Sequence, residues 1–133
     1  MRDMTSEMNA FFQVGSDDVQ NQAQVNTRLL SMNREQLRYT VSRFGLFPIS
    51  EYLVTTPVKI DKNAVVGFAR YLDVYLLEMS GGKRSELIKL GVKIMGREPK
   101  AFSNRLIRLE IVDYIINFHS NFFSLRQTLT LYH

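Results

Sequence analysis

The sequence predicts a mainly helical protein: one short strand and two helices, followed by a three-helix C-terminal region. Three observations lead there. Over most of the chain after residue 32, apolar residues recur three and four apart, the spacing of one helix face. Residues 24–30, Gln24-Val25-Asn26-Thr27-Arg28-Leu29-Leu30, alternate instead: Gln24, Asn26 and Arg28 point one way and Val25, Thr27 and Leu29 the other, as in a strand. Gly45, Pro48, Pro57, Gly81-Gly82, Gly96 and Pro99 punctuate the helical stretches.

Each element follows in order. Residues 1–23 hold one apolar pair, Phe11 and Phe12, then Gly15-Ser16-Asp17-Asp18 and Gln20-Asn21-Gln22, and are expected to form a mobile arm. After the strand, Ser31 is expected to cap a helix from about Met32 to Phe44, with Arg34, Glu35 and Arg38 toward water and Leu37, Val41 and Phe44 inward. Gly45 stops it. Leu46-Phe47-Pro48 forms a turn, and Ile49 to Val54 a short second helix ending before Thr55-Thr56-Pro57. Val58-Lys59-Ile60 reads as an extended linker. Asp61 caps a helix over about 63–79, with Phe68, Leu72, Tyr75, Leu76 and Met79 at helical spacing.

Ser80-Gly81-Gly82 breaks that pattern, and Arg84 to Met95 resumes it. This helix has Leu87, Leu90 and Ile94 on one face, Lys89 and Lys93 on another, and ends at Gly96. The last helix is predicted from near Pro99 to about Phe123. It is apolar on too many sides for a lone surface helix, which predicts central burial or sharing between subunits.

With 133 residues and 45% hydrophobic content, the chain can build a core without covalent staples. It has no cysteine, which excludes disulfides and thiolate metal sites and fits a reducing cytoplasm. The start, Met1-Arg2-Asp3-Met4, lacks the apolar run of an export signal. The most apolar stretch, Leu106 to Leu125, is interrupted by Arg108, Glu110, Asp113 and His119. A soluble cytoplasmic protein is expected. The net charge of +4 is unevenly placed: residues 1–57 carry five basic and six acidic side chains, residues 58–133 twelve and seven. Between 83 and 108, eight basic side chains meet only Glu86 and Glu98.

The alternating segment carries the first functional candidate. Gln24 and Asn26 have amides able to bond adenine at two points, and Arg28 a guanidinium able to do so to guanine, so together they form a candidate base-reading head. A lone strand is unstable, which implies a second copy and a dimer. Lys83, Arg84, Ser85, Lys89 and Lys93 are the candidate phosphate contacts, Lys89 and Lys93 lying one helical turn apart.

Strand, helix, glycine turn and short helix, with Gln24, Asn26 and Arg28 at alternate positions, Gly45 ending the first helix and Ser50-Glu51 in the second, resembles the Arc/MetJ-type ribbon-helix-helix DNA-binding proteins over residues 24–56. The resemblance implies an antiparallel two-stranded ribbon in the major groove, shared by two subunits. It also implies a phosphate beside Pro48 to Ser50 at the start of the second helix, making Ser50 a further phosphate contact. On this reading residues 1–23 are the arm, 24–57 the DNA-binding region and 58–133 a helical oligomerisation and basic region. That arrangement is similar to relaxosome accessory proteins, which act near a plasmid transfer origin.

The expected function is sequence-specific binding of double-stranded DNA by a homodimer or higher homo-oligomer, as a transcriptional regulator or DNA-organising accessory factor. Alternatives are a helical adaptor that docks a protein partner through its final helix, or an activator subunit that contacts DNA only within a heteromeric complex. Whether residues 58–95 form a second DNA-binding unit is left open: Gly81 to Lys89, preceded by strand-like Val58 to Ile60, resembles the turn and second helix of the same ribbon-helix-helix fold, and the alternative is a helix-turn-helix with Arg84 to Met95 as its second helix. Catalysis, cofactors and metals are not expected. Gly81-Gly82-Lys83-Arg84-Ser85 lacks the upstream glycine and the hydroxyl of a nucleotide-binding loop. His119 and His133 are far apart, and neither Ser85 nor Ser103 has an evident base. Tyr71, Tyr75, Tyr114, Phe118 and Phe122 lie at helical spacing and read as core rather than as stacking platforms for single strands.

Overall fold

A computed structural model describes residues 18–46 and 65–118, with side chains from Gln24 onward. Within them lie α1 (Asp18–Ser31), α2 (Arg34–Phe44), α3 (Val66–Ser80), α4 (Arg84–Met95) and α5 (Asn104–Asn117), and no strand. The chain is mainly helical, but the expected ribbon is corrected: residues 24–30 form the last two turns of α1. Val25, Leu29 and Met32 are buried at i, i+4 and i+7, the helical period. Thr27, which a strand would have turned inward with them, is exposed. The inferred dimer loses its argument too, because a helix satisfies its backbone within itself.

Asn33 caps α2 in place of Ser31. Its Oδ1 accepts the Gln36 N–H at 2.9 Å, while the Gln36 side chain accepts the Asn33 N–H at 2.9 Å, a reciprocal capping box. Ser31 instead donates back to the Arg28 carbonyl at 2.8 Å. As expected, Leu37, Val41 and Phe44 are buried and Arg34, Glu35 and Arg38 exposed. Thr40 is also buried, its hydroxyl donating to the Gln36 carbonyl at 2.7 Å. At the far end Gly45 takes a positive φ of 57° and returns its N–H to the Val41 carbonyl.

Helix α3 is the hub, packing against each of the other four. Phe68, Tyr71, Leu72 and Leu76 are fully buried along it, each burial contributing about 1.5–3 kcal/mol by the area removed from water. Helices α1 and α3 also exchange caps. Val65, at the N-cap of α3, has no side-chain acceptor, and Asn26 of α1 supplies one: its Oδ1 accepts the Phe68 N–H at 3.2 Å. In return, Arg70 of α3 donates to the Leu29, Leu30 and Met32 carbonyls at 3.0, 2.5 and 2.8 Å, satisfying the end of α1. The crossing is close enough that a Cβ on Gly67 would stand 2.0 Å from the Asn26 carbonyl oxygen.

Helix α4 has the bounds expected of it, closed by Gly96. Helix α5 begins later than expected, at Asn104, with Ser103 as its cap accepting the Leu106 N–H at 3.1 Å. Pro99 to Phe102 are not helical. The Glu110 carboxylate, itself bonded by Arg97 at 2.7 Å, accepts the Lys100 and Ala101 N–H groups and so holds that loop against α5. Nor is α5 central: Ile107, Ile111, Val112, Ile115 and Ile116 face the core, while Leu106 and Leu109 remain 48% and 53% exposed. The short helix expected over 49–54, the linker 58–60 and the Asp61 cap lie outside the described residues, as does everything after Phe118. No described helix is long and apolar enough to cross a membrane.

Candidate functional site

The three residues expected to read bases do not share a face. A helix turns successive residues by about 100°, so Gln24 and Arg28 fall together on the exposed side of α1 whereas Asn26 turns toward α3. Asn26 is half-buried and occupied as the remote cap of α3, which removes it from any reading head. The cause is the helical period itself: a two-residue step that repeats a direction on a strand reverses it, nearly, on a helix.

Four of the six expected phosphate contacts gather at the exposed side of α4. Lys83 is its N-cap residue, Arg84 and Ser85 open its first turn, and Lys89 follows one turn on; all are exposed. Lys93 is half-buried farther along, and Ser50 lies outside the described residues. The charge excess of this stretch is smaller in space than in sequence. Lys89 meets Glu86 at 3.5 Å, Arg97 meets Glu110 at 2.7 Å, and Arg108 meets Asp73 at 2.9 Å. The Arg84 guanidinium donates to the Phe102 carbonyl, and the Asn104 amide reaches the Gly82 carbonyl at 3.5 Å, tying the α3–α4 turn to the start of α5. Phe102 itself projects from that loop, 86% exposed.

A second feature has no counterpart in the sequence reading. An open groove of about 530 Å³ runs between α3, the start of α2 and the outer side of α5. Arg34, Arg70, Arg105 and Arg108 line it together with a single carboxylate, Asp73. Its floor is apolar, with buried Leu37, Val74 and Val112, and exposed Val66 and Leu109 stand at its edge. Arg70 and Arg108 are anchored, to the end of α1 and to Asp73 respectively. Arg34 and Arg105 are exposed and have no carboxylate partner among the described residues. The four arginines come from three helices and up to 74 positions apart in the chain, 34 to 108, so no local motif announces them. The available signal was Arg34 near the start of a helix, where an acid is the favoured charge; Arg105 falls in a first turn only because α5 starts at Asn104.

The ionisations follow from these surroundings. Burial by itself would raise the Glu110 carboxyl, but the Arg97 guanidinium and the Ala101 and Lys100 N–H groups outweigh it and hold the group below its ordinary range. Burial pushes the Tyr75 hydroxyl up to about 12 and that of Tyr71 higher still, with the neighbouring Tyr75 adding to the latter. Tyr71 donates within the core, to the Gly45 carbonyl at 2.6 Å and the Thr40 carbonyl at 3.2 Å, so it is a structural phenol. Comparison with protein-family models, curated proteins and solved structures returned no match for this chain.

Proposed function

We propose that this protein is a helical interaction module that docks a protein partner on the outer side of α5 and the adjoining groove. One observation carries the reading. Leu106 and Leu109 lie on a helix that already buries five aliphatic residues in its own core, yet they remain about half exposed, Leu109 at the edge of the groove. Together they make an apolar row next to a cationic groove, the mixture of anchor and polar rim that interfaces use. Replacing both leucines by serine tests this. Each leucine is only about half buried, so losing its share of apolar contact should cost at most about 1.5 kcal/mol, or about 3 kcal/mol for the pair. A loss well beyond that, toward the roughly 4–10 kcal/mol of emptying two core sites, would make them core residues and end the reading.

A second reading, contact with the DNA backbone, is favoured by a different observation. Helix α3, the three residues 81–83 and α4 follow one another in helix-turn-helix order, and Lys83 at the cap and Ser85 and Lys89 on the second helix are exposed. Binding of a mixed-sequence duplex at 50 and 200 mM salt separates the two. Three or four phosphate contacts would weaken binding by roughly 40- to 150-fold across that range, with Lys89→Ala flattening the slope. The docking module predicts no detectable duplex binding at the lower salt.

A further inference from the structure

We infer that the groove between α2, α3 and α5 takes an acidic amphipathic helix from the partner protein, with Arg34 and Arg105 as the residues that select it. The inference rests on the docking reading above and names its partner class. Four guanidinium groups line this groove; Arg108 is paired with Asp73 and Arg70 is bonded to backbone carbonyls, so an occupant without negative charge would leave Arg34 and Arg105 uncompensated.

The placement of the two outer arginines sharpens this. Arg34 is the first residue of α2 and Arg105 the second of α5, so each adds its charge to the positive end of a helix dipole. Helix α5 has no acid in its first turn. Helix α2 has Glu35, but that side chain lines a different hollow, with Arg38 and Tyr39. These positions oppose helix stability, and both arginines line the same groove. A row of carboxylates would satisfy both.

The apolar part of the surface fixes the shape of the occupant. Val66 and Leu109 edge the groove, and Leu106 continues the row beyond it, so apolar contact extends past a single pocket. Apolar anchors spaced along one helix face, flanked by acids, match such a surface. A second copy docking through the same face does not, because it would bring its Arg105 and Arg108 toward arginines of the same groove. Anchored Arg70 and Arg108 keep the walls in place before binding, which lowers the ordering cost of association.

Fluorescence anisotropy of the whole chain at 50 mM salt tests this with three labelled probes. One is a helical peptide with leucines at i, i+3, i+4 and i+7 flanked by glutamates, the second has the same residues scrambled, and the third is a mixed-sequence duplex. The amphipathic peptide should bind at least about tenfold tighter than the scrambled one, and Arg34→Glu with Arg105→Glu should cost at least about tenfold. Lys83→Glu with Lys89→Glu should change peptide affinity less than about twofold. Equal binding of both peptides, no binding, or a duplex held through Arg34 and Arg105 in preference to the peptide would each overturn the inference. If any of these occurs while the double serine variant of Leu106 and Leu109 loses no more stability than two half-buried leucines account for, only the partner class falls. If that variant unfolds, the docking reading falls with it.

Discussion

Gly67→Ala probes the contact on which the corrected N-terminal structure depends. On an isolated helix the change would stabilise by up to about 1 kcal/mol, since alanine is the better helix former. Here the added Cβ would lie 2.0 Å from the Asn26 carbonyl oxygen, 2.8 Å from its Oδ1 and 2.9 Å from its carbonyl carbon. Two of those atoms are backbone, so no rotamer change relieves the clash, and α1 must move away from α3. Overpacking of this kind costs about 1–3 kcal/mol. The same movement stretches the bond from the Phe68 N–H to Asn26, a cap worth about 1 kcal/mol. The net expectation is a loss of about 2 kcal/mol, or roughly 6–10 °C in Tm for a chain of this size, read by urea and thermal unfolding. Unchanged or increased stability would refute the α1–α3 crossing and reopen the question of what residues 24–30 form.

Other consequences can be checked alongside. Because Glu110 titrates below its ordinary range when folded, its contribution is present above the unfolded carboxyl value and is lost as pH falls through the folded one. Glu110→Gln should remove that part of the acid slope and cost about 1–2 kcal/mol at pH 7 through its weakened bonds, as seen in urea titrations at several pH values. Tyr71 and Tyr75 run the other way: their folded values are raised, so the stability they contribute is complete below the ordinary phenol range and declines as pH rises past it. Tyr71→Phe should cost about 1 kcal/mol at neutral pH while reducing the alkaline loss, measured by unfolding between pH 8 and 11. Arg70→Ala should cost about 2 kcal/mol by leaving the α1 carbonyls uncapped, visible as faster amide exchange confined to α1 and α2.

Much of the helical frame is legible in the sequence. Helix α4 could be bounded because glycines flank it and Leu87, Leu90 and Ile94 repeat at helical spacing within. Helix α1 is ambiguous in sequence for a definite reason: Val25 and Leu29 stand four apart, a step that belongs equally to a strand and a helix face. The deciding positions were Thr27, exposed, and Met32, buried, and the polar members Gln24, Asn26 and Arg28 drew attention away from them. The start of α5 was placed too early because Pro99 suits a first helical position, whereas the long-range bonds from the loop to Glu110 keep residues 99–102 out of the helix.

The candidate site was less legible than the frame. A linear count of charge cannot register that Glu110 reaches Arg97 or that Asp73, on another helix, reaches Arg108. Nor can it bring Arg34 beside Arg105. What the sequence did carry was the surplus of apolar residues along α5, read as central burial or subunit sharing; the structure resolves that surplus into a buried face and an exposed row.

The most direct test follows the arginine Nε–H signals by ¹⁵N NMR while the acidic amphipathic peptide is added to the intact chain, with assignments made from single lysine substitutions. Arg34 and Arg105 should shift first and saturate together, with Leu109 methyl signals moving in parallel. Shifts confined to the amides of α4, or no shift at either arginine when the peptide is in excess, would contradict docking in this groove.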